Sequence, residues 1–258
     1  GPELGEMACG EFGEGKMTEP KEIIKEIENY FSSLIRNNKF KALVTAGPTY
    51  EYIDPVRYIS NESSGKQGYE IAIALNKIGI KTTLITGPSN LVSPKELKVK
   101  KIISADEMLN EVKKSLPVDL AVCAAAVTDF KPAKKNKNKI KKEDTNFQSI
   151  DFIKNNDILE YISKNNKHRP SLVAGFSAET ENLTKNSISK IRKKNCDLIF
   201  ANDISQKDVG FNSDYNKILV IDKEGNIKKI KKNKKSFIAN KIVEILLDKL
   251  LINDRNIN

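Results

Sequence analysis

Ala42-Leu43-Val44 is a short apolar run that stops at Thr45-Ala46-Gly47-Pro48, and this restricts the fold more than any other stretch. A run of that length closed by Gly-Pro reads as a buried strand ending in a tight turn. After an excursion, Ser63-Ser64-Gly65-Lys66-Gln67-Gly68 leads directly into the amphipathic run Tyr69 to Ile78. Ser63 and Ser64 suit helix N-caps, and Gly65 and Gly68 let a ligand approach the backbone. N–H groups at a helix start, with the positive end of its dipole, favour an anion such as phosphate. The plainer alternative is a capped helix with no ligand. The segment is neither a GxxxxGK[ST] phosphate loop nor the compact GxGxxG turn of dinucleotide folds.

The same alternation continues. Strands are expected at 41–46, 81–86, 99–103, 118–124, 171–179 and 197–202, with helices over 66–78, 105–115, from Asn156-Asp157-Ile158, and over 181–194. This rhythm predicts an α/β fold: a Rossmann-like three-layer αβα arrangement with a mostly parallel sheet. A strand at 217–221, the turn Glu224-Gly225-Asn226 and a return strand at 227–230 predict a C-terminal β-hairpin as an edge extension, before a last helix over 235–252. Ligands in such folds sit beyond the carboxyl ends of the strands, so the loops after Ala46, Thr86 and Ala124 are expected to share one crevice. Residues 20–39 read as a linker helix packing by Ile23, Ile24, Ile27, Tyr30, Phe31 and Leu34. Residues 1–19, rich in Gly and Glu, read as loop.

Composition narrows the function classes. The net charge of +10 has two explanations, an anionic partner or lysines spread over solvated faces. The lysines are everywhere and no nucleic-acid motif accompanies them, so no nucleic-acid partner is expected. No run is long enough to span a membrane. Cys9, Cys123 and Cys196 lack metal or disulfide spacing, which fits a reducing cytoplasm. The single histidine, His168, sits beside Arg169-Pro170 and reads as a surface residue rather than a catalytic base.

TAGPT followed by IDPVRYISNxSSGKxG closely resembles phosphopantothenoylcysteine synthetase, and the resemblance extends over roughly residues 40 to 250. Cys123-Ala124-Ala125-Ala126-Val127-Thr128-Asp129 resembles that family's AAVxD string, Lys139-Ile140-Lys141-Lys142 its flap element, and Asn156-Asp157-Ile158-Leu159 its NPDI element, with Asn156 in place of proline. Gly175-Phe176, the helix bearing Lys190 and Lys194, and the turn Gly210 to Asn216 also match. Taken without the resemblance, these are a packed strand end, a solvated lysine loop, a helix start, a core aromatic and exposed helix charges. Ala8-Cys9-Gly10-Glu11 is similar to the end of a flavin-dependent decarboxylase, which in many bacteria precedes the synthetase in one bifunctional chain. Residues 1–19 are on that reading a remnant of the decarboxylase, and 40–252 the synthetase domain.

The resemblance implies a CTP-dependent ligase of coenzyme A biosynthesis that joins 4'-phosphopantothenate to L-cysteine through an acyl-cytidylate, with Mg²⁺. FMN would belong only to the decarboxylase part, whose flavin-binding body this sequence lacks. It further implies that Ser63, Ser64 and Gly65 cradle phosphates and that Lys139 stabilises charge as the acyl-cytidylate forms. Asn61 would orient that intermediate, with Arg57 in support. Cys123, Ala124, Ala125, Ala126, Asp129, Asn156, Asp157, Ile158, Leu159, Phe176, Lys190 and Lys194 would hold the nucleotide. No protein metal ligands are implied. A homodimer is expected, with a larger assembly in a full-length bifunctional protein. A Rossmann-type oxidoreductase would want GxGxxG after the first strand and an acidic residue after the second, and both are missing.

Overall fold

The computed structural model describes residues 3–6, 9–141, 149–204 and 213–257. Gly210-Phe211-Asn212 and Lys142, two elements of the resemblance, lie outside them. In chain order the elements are β1 (Glu3–Glu6), β2 (Phe12–Lys16), α1 (Pro20–Asn37), β3 (Lys41–Ala46), β4 (Glu51–Asp54), β5 (Arg57–Ile59), α2 (Lys66–Lys77), β6 (Lys81–Thr86), β7 (Lys98–Lys101) and α3 (Ala105–Ser115). There follow β8 (Leu120–Cys123), β9 (Phe130–Pro132), β10 (Phe152–Lys154), α4 (Ile158–Ser163), β11 (Leu172–Glu179), α5 (Leu183–Lys194), β12 (Leu198–Asp203), β13 (Tyr215–Asp222), β14 (Ile227–Lys234) and α6 (Lys235–Ile257).

Eight of these strands form the central sheet, in the order β14-β13-β12-β11-β8-β3-β6-β7. The six from β12 to β7 are parallel, and β13 and β14 add antiparallel at one edge. The expected three-layer sandwich with a hairpin extension is therefore the fold. The inner strands are buried on both faces, which explains why β3 reads as a continuous apolar run rather than an alternation. Successive residues still part to opposite sides. Val44, Leu84, Val122 and Phe200 pack with Ile71 and Leu75 of α2 and Ile238 and Ile242 of α6. Leu43, Ile85, Val173 and Ile199 pack with Met108 and Val112 of α3, Ile162 of α4 and Ile191 of α5. Phe200 is fully buried, and truncating it to Ala would cost about 3–5 kcal/mol.

Local chemistry fixes the helix starts. The Ser104 side chain caps α3 by accepting from Glu107 N–H (3.3 Å), and acidic Asp106 and Glu107 oppose Lys113 and Lys114 along the helix dipole. Asp157 caps α4 by accepting from Glu160 N–H (2.7 Å). After β3 the chain moves to β6 and β7 on one side, then returns to β8, β11 and β12 on the other. The sheet thus switches direction between β3 and β8, where a crevice opens at the strands' carboxyl ends.

Four departures from expectation have local causes. Residues 1–19 contain the β1–β2 hairpin rather than loop alone, because Gly5 and Gly13 pair and Gly10, at φ 85, turns the chain. The excursion after Thr49 folds as the β4–β5 hairpin. The start of the lysine-rich segment is held in a ribbon, β9 against β10. On α1, Ile24, Ile27, Tyr30 and Phe31 are exposed, so the apolar stripe expected to pack lies uncovered among the described residues.

Candidate active site

The crevice has a volume of about 410 Å³ and is lined by the segments that follow β5 and β8 and by the carboxyl ends of β11 and β12, together with the start of α2, Lys190, Asn216 and Lys235. Its floor is main chain. Beyond the ends of β3 and β8 the two strands stay paired: Ala124 N–H donates to the Thr45 carbonyl (3.1 Å) and Ala126 N–H to the Gly47 carbonyl (2.9 Å). Pro48 and Ala126 form one further parallel bridge. Small side chains at Ala124, Ala125 and Ala126 leave this surface open to a ligand.

The start of α2 forms the neighbouring wall. Its N-cap is Gly65, at φ 77, rather than either serine. The Ser63 hydroxyl accepts from Gly65 N–H (3.3 Å) and the Ser64 hydroxyl from Lys66 N–H (3.5 Å). The serines therefore shape the turn into the helix, and the cap position takes the left-handed backbone that glycine allows. Gly68 has a separate duty. A Cβ there would lie 2.6 Å from the Ala46 Cβ, so its absence lets α2 rest directly on the end of β3.

Buried polar bonds fix the turn after β8. The Thr49 and Thr128 hydroxyls lie 3.4 Å apart, Asn155 Nδ2 donates to the Thr128 carbonyl (2.9 Å), and Asn155 N–H donates to the Asp129 carbonyl (2.8 Å). Asn61 Nδ2 donates to the Val127 carbonyl (3.0 Å), which ties the β5–α2 loop to this turn. On the far side Lys190 Nζ donates to the Phe176 carbonyl (2.9 Å), and the Phe176 ring leans on Phe200 with centroids 5.3 Å apart.

Asn61, Ser63, Ser64, Gly65, Ala124, Ala125, Ala126, Asp129, Phe176 and Lys190 thus meet in one crevice. The other residues singled out lie elsewhere. Cys123 faces the α3–α5 side of the sheet, where burial pushes its thiol up. Ile158 and Leu159 are core residues, with Leu159 against Gly175. Asn156 and Asp157 line a separate shallow cavity beside Glu160 and Tyr161. Lys194 pairs with Asp157 (2.9 Å) and Glu160 (2.8 Å). Burial would lower its pKa, but those two carboxylates raise it on balance, while Lys164 and Lys194 draw the Glu160 carboxyl down to about 2. One turn apart, Lys190 and Lys194 therefore do different work. The loop after Thr86 does not open into the crevice either. Gly87 and Pro88 line a cavity with Tyr50 and Tyr52, and Ser89 supports the α2 turn by donating to the Ser64 carbonyl (3.0 Å).

Arg57 and Lys139 are outside the crevice but close to each other in the chain's fold. Asp54, fully buried, accepts from the N–H groups of Val56 and Arg57 (2.9 Å each) and from Ile140 N–H (3.2 Å), and it pairs with the Arg57 guanidinium. Arg57 Nη2 also donates to the Ile140 carbonyl (2.8 Å). The guanidinium holds the Asp54 carboxyl far below the usual carboxylate range, with the backbone donors assisting. This clamp anchors the lysine-rich segment next to Lys139.

Sequence reasoning missed the crevice's far end. Asn202 is 93% buried at the end of β12, and its Oδ1 has no hydrogen-bond partner among the described residues. Lys235 opens α6 and is buried. Burial pushes its ammonium down to about 8, with the Lys66 charge adding to that and Asp214 opposing it. Gln67 bridges the two walls, donating to the Lys235 carbonyl (3.3 Å) and accepting from Asn216 Nδ2 (3.2 Å). In sequence Lys235 is one of a run of lysines, and only the packing of α6 sets it apart.

Known proteins share the sequence and the fold of this chain. Residues 38–250 match the model of the DNA/pantothenate metabolism flavoprotein C-terminal domain. The Coenzyme A biosynthesis bifunctional protein CoaBC of Haemophilus influenzae is 41% identical over 95% of this chain, and that of Escherichia coli strain K12 is 40% identical over 88%. The chain spans 61% and 56% of those two proteins. A solved C-terminal domain of a CoaBC protein superposes with a TM-score of 0.68 at 31% identity, covering 84% of this chain and 99% of that one. A Cab2 mutant in complex with phosphopantothenate-cysteine shares the fold, with a TM-score of 0.68 at 14% identity over 93% of this chain and 96% of the other. With the matched segment spanning the whole central sheet and every wall of the crevice, the chain belongs to the family of the DNA/pantothenate metabolism flavoprotein C-terminal domain.

Proposed function

We propose that this chain is a phosphopantothenate–cysteine ligase that uses CTP. The observation that carries the reading is the meeting of the α2 turn, the alanine floor, Asn61, Asp129, Phe176 and Lys190 in one crevice at the sheet's switch point. Relatives at about 40% identity named as coenzyme A biosynthesis proteins support it.

In this reading the carboxylate of 4'-phosphopantothenate attacks the α-phosphorus of CTP. The bond to the β-phosphate breaks and pyrophosphate leaves with the electron pair. The cysteine amine then attacks the acyl carbon of the acyl-cytidylate, loses a proton, and CMP departs. Both leaving groups are good, so the site's work is positioning and charge neutralisation rather than strong acid–base catalysis. The α2 turn receives phosphate, and Lys190, held by the Phe176 carbonyl, supplies fixed positive charge. Asn61, fixed on the Val127 carbonyl, orients the intermediate. Lys139 reaches the reacting groups from the clamped segment, and Arg57 supports it through the clamp. Magnesium would accompany the triphosphate and help to neutralise its charge.

The reading extends to a homodimer. Phe130, Phe152 and Ile153 of the β9–β10 ribbon are exposed, as are Val56 and Tyr58 of the adjoining hairpin, and a second copy would cover them. Segment 1–19 is the end of a flavin-dependent decarboxylase, where any FMN would bind in a longer protein. In this reading the cytoplasm is its place of action, which fits cysteines without disulfide spacing. No helix among the described residues is long and apolar enough to cross a membrane.

The test is pyrophosphate release from CTP, with ATP in parallel, in the presence of 4'-phosphopantothenate and with cysteine added or omitted. Sustained release that needs all three substrates, with CTP preferred, is expected. A folded protein that releases none with either nucleotide and Mg²⁺ would overturn the assignment.

A further inference from the structure

Lysines gather at the amino end of the sheet, away from the crevice. β3, β6 and β7 lie side by side, and each begins with a lysine: Lys41, Lys81 and Lys98. Lys41 and Lys81 are partners in register on adjacent parallel strands. Lys98 is in register with Thr83, two residues beyond Lys81, so all three lysines belong to one face of the sheet. It is the face that α3 covers further along, over Leu43 and Ile85. Like charges set opposite each other on neighbouring strands oppose pairing.

The three lysines line a cavity of about 540 Å³ together with Lys100 and Lys114. Five lysines thus face it against one carboxylate, Glu96. Two of the five are accounted for. Lys100 and Lys114 each bond Glu111 at 2.7 Å, and Lys114 also sits in the last turn of α3, where positive charge complements the helix dipole. The nearby Asp119 carboxylate is taken by the Lys41 backbone N–H (2.8 Å). The side chains of Lys41, Lys81 and Lys98 have no ion pair or hydrogen bond among the described residues, and neither has the Thr83 hydroxyl. Leu116, Pro117 and Val118 give the cavity an apolar edge. Solvation alone would favour spreading these charges, not setting them in register around a concave surface.

We propose that this cavity is a second anion site, which takes a small organic molecule carrying two or more phosphate groups. The phosphates bridge Lys41, Lys81 and Lys98 with the Thr83 hydroxyl as a further donor, and the carbon body rests on the Leu116 to Val118 edge. A nucleic-acid strand needs charge laid out as a track, whereas these lysines converge on one concavity. The site goes beyond the ligase reading and does not depend on it. β3 runs from this cavity at Lys41 to the crevice end of the sheet at Ala46, a separation of roughly 17 Å along the strand.

The experiment titrates inorganic tripolyphosphate into the whole chain and follows the backbone amides by NMR, at about 0.15 M salt, where isolated surface charges are screened. Saturable shifts are expected at Lys41, Lys81, Thr83 and Lys98, apart from any at Gly65, Ala125 and Ala126 in the crevice. Lys41→Gln/Lys81→Gln removes two like charges in register, so it should fold with a Tm at or above wild type. Its affinity at the amino-end residues should fall by at least about tenfold, with the crevice response unchanged. Lys228→Gln/Lys229→Gln makes the same change of net charge on exposed residues of β14 and should alter neither. No shifts at the amino end, or equal losses in the two double variants, would overturn the proposal. Shifts there from a single-stranded oligonucleotide but not from tripolyphosphate would replace it with a nucleic-acid surface. Should Lys41→Gln/Lys81→Gln not fold, Lys98→Gln is read in the same way. A failure of the ligase reading shows separately, as absent pyrophosphate release with the amino-end shifts intact.

Discussion

The crevice and the clamped lysine segment beside it are both positive, but they are built in opposite ways. In the crevice several polar contacts are main chain or side chains locked to main chain: Lys190 on the Phe176 carbonyl, Asn61 on the Val127 carbonyl, and Ala124 and Ala126 continuing the sheet. In the segment from Lys131 to Lys141 most of the charges are exposed, and the chain is held at a few points: Ala133 on Asp151, Asn136 on Ile53 and Ile140 on Asp54. A rigid floor binds and orients. A strand of lysines held at intervals can follow a reacting group without being rebuilt. On the ligase reading, this difference would let the enzyme draw on fixed geometry in the crevice and on exposed charge beside it.

The comparison can be broken most forcefully at the floor. Gly68→Ala places a methyl group 2.6 Å from the Ala46 Cβ and 3.2 Å from the Thr45 carbonyl oxygen, so α2 must move off β3. Overpacking of this kind costs about 1–3 kcal/mol. The expected outcome is a Tm several degrees lower, with nucleotide affinity lost by more than the fold alone would predict. An active protein of wild-type Tm would mean that the floor is not rigid.

Asn61→Asp is the next cut. It should fold and still release pyrophosphate in a single turnover, but pass little intermediate to cysteine. Equal loss of both half-reactions, measured by quenched flow, would remove the assigned role.

The clamp gives a smaller effect with a distinct pH signature. Because the folded Asp54 carboxyl titrates below its ordinary range, its contribution is fully present above pH about 4 and fades as acid protonates it in the fold. The Tm difference between wild type and Asp54→Asn should therefore be constant from neutral pH down to the ordinary carboxylate range and shrink below it. In Asp54→Asn, trypsin should also cut faster between Lys131 and Lys141. Unchanged cutting would show that the segment does not depend on the clamp.

The smallest effect separates two lysines of one helix. Lys190→Ala should weaken nucleotide binding with little change in Tm. Lys194→Ala should leave binding nearly intact and cost about 1 kcal/mol of stability from its pairs with Asp157 and Glu160. The reverse pattern, in paired titrations and melts, would return Lys194 to the nucleotide.

That pair also marks where the sequence stops being informative. The strand and helix periods made the sheet and the C-terminal hairpin legible, because burial on both faces leaves the apolar runs of a parallel sheet; the place of the crevice was legible only in part, since the loop after Thr86 stays outside it. The string from Asn61 to Gly65 and the alanines after β8 pointed to the crevice through the family resemblance; taken alone they read equally as a capped helix and a packed strand end. Spacing alone put Lys190 and Lys194 on one face, but could not say that α4 would bring two carboxylates to one of them. Lys235 was hidden for the opposite reason: it is chemically identical to its neighbours in sequence, and only α6 packing beside α2 removes it from water. Composition favours the serines of the α2 turn as caps, whereas the left-handed backbone at the cap position selects glycine.

The continued pairing of Pro48 with Ala126 has a consequence for inhibitors. A compound that binds by hydrogen bonds to this floor meets atoms common to every amino acid. Point substitution cannot alter the chemistry of such atoms and can only crowd them with bulk at Ala124, Ala125 or Ala126. Bulk there would exclude the natural ligands as well. On the ligase reading, a change at the lysines that line the crevice would weaken the natural nucleotide too, so inhibitors drawing their affinity from the floor would face a narrow set of escape routes.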